Sequence, residues 1–493
     1  MADSKEGYKT AFKATSVFGG VQIITIIIGI IRSKFIALWL GPSGYGIMSL
    51  FNSAINFISS ISNLGLSSSA VRDISRANSL DDGKIQLAKT VKAIDRCVII
   101  TGLTGSIFTI VLSYLLSEWA FGSSFYTQSF ILLSIVVFVN GIYSGHYATL
   151  QGARRIYSMS MARIWGSLAG SMITLPLFYF YREKGIVAAL IGTSLITCII
   201  SWIYASKIEL PKVKQSFKES FKIGKTSIKL GIMMAISAIS VSMVDLILKT
   251  FVTNMGGISD VGLYQAGWAL NNQYLGMVFT AMATDYFPRL SAISKDNSLL
   301  KKRVNEQAEI AVLIIGPMIT AMLIFMPFLI RLFYSYKFIV IVTLARWLMI
   351  GSLIKAGSWA VSFVFLAKGD GKTFLFNELG IKVITIPLYL FGYYLYGING
   401  IGYAYTLNFI AYFIWVIIIA KKKYEFSYSR VFARLLAVQI IIPLLTMLVA
   451  AKLSGILMYI ASALLTLSIF IYSFRELNKR LDIIQSFNRR RKK

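Results

Sequence analysis

The chain has 493 residues, 56% of them hydrophobic and only 14% charged, and its mean hydropathy is +0.69. A formal net charge of +29 would point to nucleic acid in a soluble protein, but so apolar a chain leaves no room for a separate soluble domain. The charge is read as a solvated rim beside anionic lipid headgroups, and nucleic-acid binding is excluded as a function class.

Eight hydrophobic stretches are about 20 residues or longer and nearly free of charge, a match to the roughly 30 Å hydrocarbon core of a bilayer. Six more spans fit between them. The fourteen predicted spans are 14–40, 44–64, 97–117, 127–151, 157–180, 185–205, 227–251, 262–288, 307–333, 339–367, 373–396, 398–420, 431–451 and 454–474. Helices are the expected form, because in lipid each helix satisfies its own backbone. The fold class is therefore an all-α polytopic membrane protein. Two spans are unusually polar: 44–64 carries Asn52, Asn56 and many serines, and 262–288 carries Asn271, Asn272 and Asp285. Such helices turn a polar face to a protein interior or a water-filled cavity.

Basic residues orient this map, since short cytoplasmic loops are enriched in Lys and Arg. With the N-terminus inside, 38 of the 50 basic residues fall on the cytoplasmic side, from Lys5, Lys9 and Lys13 through to the tail at Arg489 to Lys493. Eight fall on the opposite side: Arg32, Lys34, Arg182, Lys184, Lys249, Arg331, Lys337 and Lys452. Both termini are expected to be cytoplasmic, and no cleavable signal peptide is recognised. Cys97 and Cys198 suggest neither a disulfide nor a metal site. The single histidine, His146, is read as a hydrogen-bonding partner of a neighbouring helix in preference to a proton relay. No phosphate loop, catalytic triad or metal cluster appears, and no predicted external loop exceeds about a dozen residues, so an enzyme is not expected.

The longest cytoplasmic connection, Lys207 to Lys229, places Ile208, Leu210, Val213, Phe217, Phe221 and Ile223 as an amphipathic element on the inner membrane surface. The segments on its two sides look alike. "KFIALWLGPSGYGIMSLFNSA" follows the first span and "KTFVTNMGGISDVGLYQAGWA" follows the seventh. Gly41 and Gly46 are five apart, as are Gly257 and Gly262, and Lys34 and Lys249 precede the first glycines by seven and eight residues. "RDIS" and "PRLS" then place Arg72 and Arg289 26 and 27 residues past the second glycines. A duplicated six-helix unit follows, its copies inserted in the same orientation. The expected organisation is an N-lobe at 1–206, an amphipathic linker at 207–226, a C-lobe at 227–423, two extra spans within 424–475 and a basic tail at 476–493.

This 6+6+2 plan resembles the polysaccharide transporters of the multidrug/oligosaccharidyl-lipid/polysaccharide superfamily, and more narrowly the O-antigen (Wzx-type) flippases. The residues that carry the resemblance are "LGPSGYG", "GLYQAGW…DYFPRLS", "ARWLMIGSLIKAGSWAVSFVFLAKG" from Ala345 to Gly369, and Glu378 in "FNELG". The resemblance implies movement of an undecaprenyl-diphosphate-linked oligosaccharide from the cytoplasmic to the periplasmic leaflet of a bacterial inner membrane. Surface-polysaccharide biosynthesis is the implied setting, with other polysaccharide-assembly membrane proteins as candidate partners and no cofactor.

Charges inside a membrane are costly and need an account. Asp245 with Lys249, Asp285 with Arg289, and Glu378 with Lys382 are spaced i, i+4, which suits intrahelical salt bridges; the three acids are equally candidates to bind a coupling H⁺ or Na⁺. Arg32, Lys34, Arg163, Arg346 and Lys355 have no acid three or four residues away. This surplus suggests a hydrated cationic cavity suited to a diphosphate, with Lys382 also assigned to it. Lys355 shares a helical face with Ser352, Ser358 and Ser362. Arg346, nine residues away, falls on the opposite face, and Lys355 is preferred. Two lobes would open alternately around a central cavity while the polyprenyl tail stays in lipid. A small-molecule exporter of the multidrug type is the alternative, and an oligosaccharide polymerase or ligase a more distant one.

Overall fold

The computed structural model describes residues 2–78 and 83–481, with side-chain surroundings described except at 2–20, 22, 23, 68, 83, 217, 221–230, 233, 284, 285, 288 and 481. The side chains of Lys5, Lys9, Lys13, Phe217, Phe221, Ile223 and Asp285, and the tail from Arg489 to Lys493, therefore lie outside the described residues. Fourteen α-helices and three short 3₁₀ turns follow one another: α1 (Ala2–Ser62), α2 (Leu66–Asn78), α3 (Gly83–Val111), α4 (Ser113–Phe121), α5 (Thr127–Gly152), α6 (Ile156–Tyr181), α7 (Ile186–Ser206), α8 (Phe217–Gly256), α9 (Ile258–Ala292), α10 (Asn297–Phe333), α11 (Val342–Ala367), α12 (Gly371–Tyr424), α13 (Arg430–Lys452) and α14 (Gly455–Leu481). There is no strand among the described residues.

Ten helical runs among the described residues are long and apolar enough to cross a bilayer, and the protein is a multi-pass membrane protein. One of the ten, Ile156–Ser206, comprises α6 and α7 together. The polar helix α9 is not among them, in keeping with its asparagines. Asn271 turns inward, with 2% of its surface exposed, while Asn272 is exposed.

The helices are interrupted where the sequence separates spans. Gly41 breaks α1 with φ 66°, and Tyr396–Gly397 break α12 with Gly397 at φ 57°. Gly257, at φ 91°, separates α8 from α9. Positive φ is a conformation that glycine adopts without the penalty other residues meet. The two glycine pairs of the repeat thus divide their labour. Gly41 and Gly257 are the breaks, and Gly46 and Gly262 are close approaches. A Cβ on Gly46 would collide with the carbonyl oxygen of Ile258, and one on Gly262 with that of Pro42. Pro42 and Ile258 each follow the first glycine of their own motif, so the two copies meet reciprocally.

Later turns repeat with a period of 215 residues. α5 begins at 127 and ends at 152, α11 begins at 342 and ends at 367, and α6 and α12 begin at 156 and 371. After α5 the N–H groups of Ala153, Arg154 and Arg155 donate to the carbonyls of Thr149, Gln151 and Leu150; after α11 those of Lys368, Gly369 and Asp370 donate to Val364, Leu366 and Phe365. Both turns place a left-handed residue at the end of the helix, Arg154 at φ 57° and Gly369 at φ 69°, which lets the last carbonyls of the helix find donors. Arg182 (φ 51°, ψ −133°) and Gly397 (φ 57°, ψ −142°) form a second matched pair. They lie in "YREKGI" and "YGINGI", where a Cβ on Gly185 or Gly400 would strike the carbonyl eight residues earlier, at Leu177 or Gly392.

The chain packs as two compact units, residues 1–262 with 333–335 and residues 263–332 with 336–493. In the first, α6 packs along α7, α3 along α5 and α1 along α6 and α8. In the second, α11 packs along α12 and α13, and α13 along α14. Asp370 holds the start of α12. Thr373 donates to it through backbone and hydroxyl, and Tyr424 and Lys423 also donate, which keeps this carboxyl well below the usual carboxylate range.

The connection after α7, expected as an amphipathic element, opens on a stretch without helix. Residues 207–216 carry no helix. Leu210 packs on the cluster of Ala70, Ile74, Leu87 and Val91, and Ile208 on Leu150 and Met159. Lys92 donates to the carbonyl of Val213 (2.8 Å), and Arg96 to those of Gln215 and Ser216. The segment is a strap on α2 and α3, because those carbonyl-seeking cations hold it extended. Helix begins only at Phe217, behind a capping box of Ser216 and Glu219.

Gly46→Val and Gly262→Val should each destabilise the protein by about 1–3 kcal/mol or more, read as lost monodisperse protein and a lower thermal midpoint in detergent. Gly276→Ala, where a Cβ meets nothing within 4 Å, should leave both readouts unchanged or slightly raised.

Candidate functional site

The second unit gathers three of the predicted charges. Lys355 of α11 is half-buried, with its ammonium 5.3 Å from the ring centre of Phe279 and 5.5 Å from that of Phe409. Two aromatic faces from α9 and α12 attract the cation through their quadrupoles. Its charge also feels the attraction of Glu378 and the repulsion of Lys382. Neither lysine's ammonium has an ion pair or hydrogen bond among the described residues.

Glu378 and Lys382 thus depart from the expected intrahelical bridge. They interact across space without ion-pair contact. Glu378 lies instead beside Tyr412, which also neighbours Ser362 and accepts from Asn377 (2.9 Å). Two lysines against one glutamate leave the cluster one positive charge in excess. The serine stripe divides. Ser362 reaches this network, Ser358 donates to the carbonyl of Lys355 (3.0 Å), and Ser352 is buried with Asn271 and Tyr405. Arg346 stands apart, its Nε donating to the carbonyl of Leu323 on α10 (3.2 Å).

In the first unit Asp245 and Lys249 make the expected bridge, 2.9 Å long, and Ser53 of α1 completes a triangle with them at 2.6 and 2.7 Å. Lys249 is buried with 4% of its surface exposed, so its partner cannot be removed without stranding an ammonium. Arg163 of α6 donates to the hydroxyl of Tyr147 (2.7 Å) at the edge of a cavity of about 480 Å³ lined also by Tyr143 and Gln151. Arg32 is half-buried beside Tyr45, and its Nε has no hydrogen-bond partner among the described residues. Lys34 is half-buried. His146 meets Ser201 of α7 at 3.1 Å, a neighbouring-helix hydrogen bond. No group of three or more metal-ligating side chains occurs among the described residues.

Sequence reading misses Phe279, Phe409 and Tyr412, which reach the lysines from distant positions in the chain. An aromatic in an apolar span carries no mark of a nearby cation.

Residues 35–343 match the family described as polysaccharide biosynthesis protein. The chain belongs to that family. Among its relatives are the lipid III flippases of Escherichia coli (strain K12) and Shigella flexneri, each 22% identical over 412 residues, covering 81% of this chain and 96% of the relative. Among solved structures, the lipid II flippase MurJ in an inward closed conformation superposes with a TM-score of 0.72 at 15% identity, covering 94% of this chain and 99% of that one. An inward-facing multidrug resistance MATE transporter of the MOP superfamily gives 0.67 at 15% identity, covering 83% and 98%. This polysaccharide biosynthesis protein accordingly shares its fold with these solved structures.

Asp245→Asn should lower the thermal midpoint more than the double change Asp245→Asn with Lys249→Met, because the single change leaves a buried ammonium unpaired. Equal losses would show that the triangle is not coupled.

Proposed function

We propose that the protein is a flippase for an undecaprenyl-diphosphate-linked oligosaccharide, an O-antigen or related repeat unit, carrying it from the cytoplasmic to the periplasmic leaflet. The observation that carries this reading is Lys355, a half-buried ammonium without an ion pair among the described residues, held between two aromatic rings with Lys382 in electrostatic reach. Two unpaired cations inside a membrane span are expensive. A diphosphate bound there would offset that cost. Relatives named as flippases of lipid III and lipid II support a lipid-linked substrate. A multidrug-type exporter of cations is disfavoured by the same excess of positive charge.

Transport by alternating access would expose these cations first to one side and then to the other. Glu378 is the preferred coupling residue for H⁺ or Na⁺, since it lies near Tyr412 and two lysines and forms no ion pair among the described residues. Asp245 is committed to Lys249 and Ser53. The membrane is assigned as the bacterial inner membrane with both termini cytoplasmic, and other polysaccharide-assembly proteins remain candidate partners.

Lys355→Ala should abolish complementation in a surface-polysaccharide assay at normal membrane abundance, and Lys355→Arg should retain part of it. Full complementation by Lys355→Ala would remove Lys355 from the site. The double change Glu378→Gln with Lys382→Gln should stay inactive; recovery at wild-type abundance would reduce Glu378 to a charge balancer. Reporter fusions after Glu118, Asn254 and Gly397 should read periplasmic, and those after Ala77, Lys212 and Lys301 cytoplasmic. A periplasmic signal at Lys212 would overturn the orientation.

A further inference from the structure

The second polar feature of the sequence, the asparagines and serines of span 44–64, has no part in the cation cluster. In the first unit they line a cavity of about 320 Å³ between α1 and α8, formed by Asn56, Ser59, Ser60, Asn63, Ser67 and Ser242. Its described lining carries hydroxyls and amides and no charge. Ser60 and Ser242 hydrogen-bond across it at 3.0 Å. Ser59 Oγ and Asn63 Oδ1 are shielded from solvent and have no hydrogen-bond partner among the described residues. An unmet polar atom away from water costs about 1–3 kcal/mol, so a cleft that keeps two is suited to a ligand that meets them.

The cavity lies where α1 gives way to α2. Leu64 (φ 49°) and Gly65 (φ 72°) are consecutive left-handed residues, and a Cβ on Gly65 or Gly231 would collide with the backbone of the other. This offset of α2 from α1, clamped against α8, exposes the polar face. Ser67, just past the offset, also lines the 480 Å³ cavity of Arg163, Tyr143, Tyr147 and Gln151. The two cavities therefore adjoin. One end offers a guanidinium and two phenol rings, the other neutral hydroxyls and amides.

We propose that this trough holds sugars of the lipid-linked oligosaccharide, an inference that rests on the flippase reading above. Arg163 donates hydrogen bonds to sugar oxygens. Tyr143 and Tyr147 present apolar ring surface and a polar hydroxyl to a pyranose. Asn56, Asn63, Ser59 and Ser242 exchange hydrogen bonds with sugar hydroxyl or acetamido groups, in the manner of a largely preformed ligand site with a few placed polar groups.

The test compares geranyl diphosphate with geranyl diphosphate bearing N-acetylglucosamine, glucose or galactose, binding to purified full-length protein. At least one sugar-bearing probe should bind about fivefold or more tighter than geranyl diphosphate, as one or two added hydrogen bonds would give. Asn56→Leu with Asn63→Leu should abolish that increment while geranyl diphosphate still binds within about twofold, which also shows that the variant is folded. Arg163→Gln should weaken the sugar-bearing probe and leave geranyl diphosphate binding within about twofold. As a second readout, Ser67→Cys in a Cys97→Ser, Cys198→Ser background should be protected from a thiol reagent by the sugar-bearing probe more than by geranyl diphosphate. No increment in the wild type, an increment that survives the double change, or equal protection would overturn the trough. If instead geranyl diphosphate binding and complementation are indifferent to Lys355, the flippase reading itself fails.

Discussion

A chain inside hydrocarbon cannot leave a backbone N–H or C=O unpaired, and that constraint governs where this protein can bend. The turn after α5 and the turn after α11 solve the problem with the same three backbone hydrogen bonds around one left-handed residue. Gly41 and Gly257 supply the positive φ at the breaks that precede the close approaches at Gly46 and Gly262. Because the permitted breaks are so few, two copies of one plan retain nearly identical element bounds at low sequence identity.

The same low dielectric sorts the charges. Lys249 is buried and is answered directly by Asp245 and Ser53. Lys355 is only half-buried and is answered by ring faces, which attract a cation without neutralising it. The first arrangement fixes a structure, whereas the second leaves a charge available. Arg346 belongs with the first kind, tied to a helix carbonyl.

Much of this was legible in the sequence, and the reasons for the rest are physical. Span lengths follow from hydropathy, and the helix breaks at Gly41 and Gly397 fall where spans were divided. Asp245 with Lys249 was visible because i, i+4 geometry is intrinsic to a helix. Glu378 with Lys382 has the same spacing, yet Tyr412 stands beside the carboxylate from another part of the chain, and spacing cannot report such a neighbour. The hairpins at Tyr181 and Tyr396 escaped the repeat reading because Arg182 occupies a conformation in which glycine stands at 397. The extended strap at 207–216 was hidden for a similar reason. Its apolar residues suit a membrane surface or a protein surface equally, and Lys92 and Arg96 decide between them by seeking its carbonyls.

The meeting of Gly46 with Ile258 and of Gly262 with Pro42 has an ancestral consequence. Each motif offers the other the same two features, a carbonyl just past its break and a glycine five residues on from the break. Such a contact is isologous, the kind made by identical partners across a two-fold axis. A single-copy precursor would satisfy both halves of it by pairing with a second molecule of itself, inserted the same way up. Fusion of two such genes would preserve the joint while freeing each side to diverge, and that freedom is visible in a chain whose two copies now carry different charges.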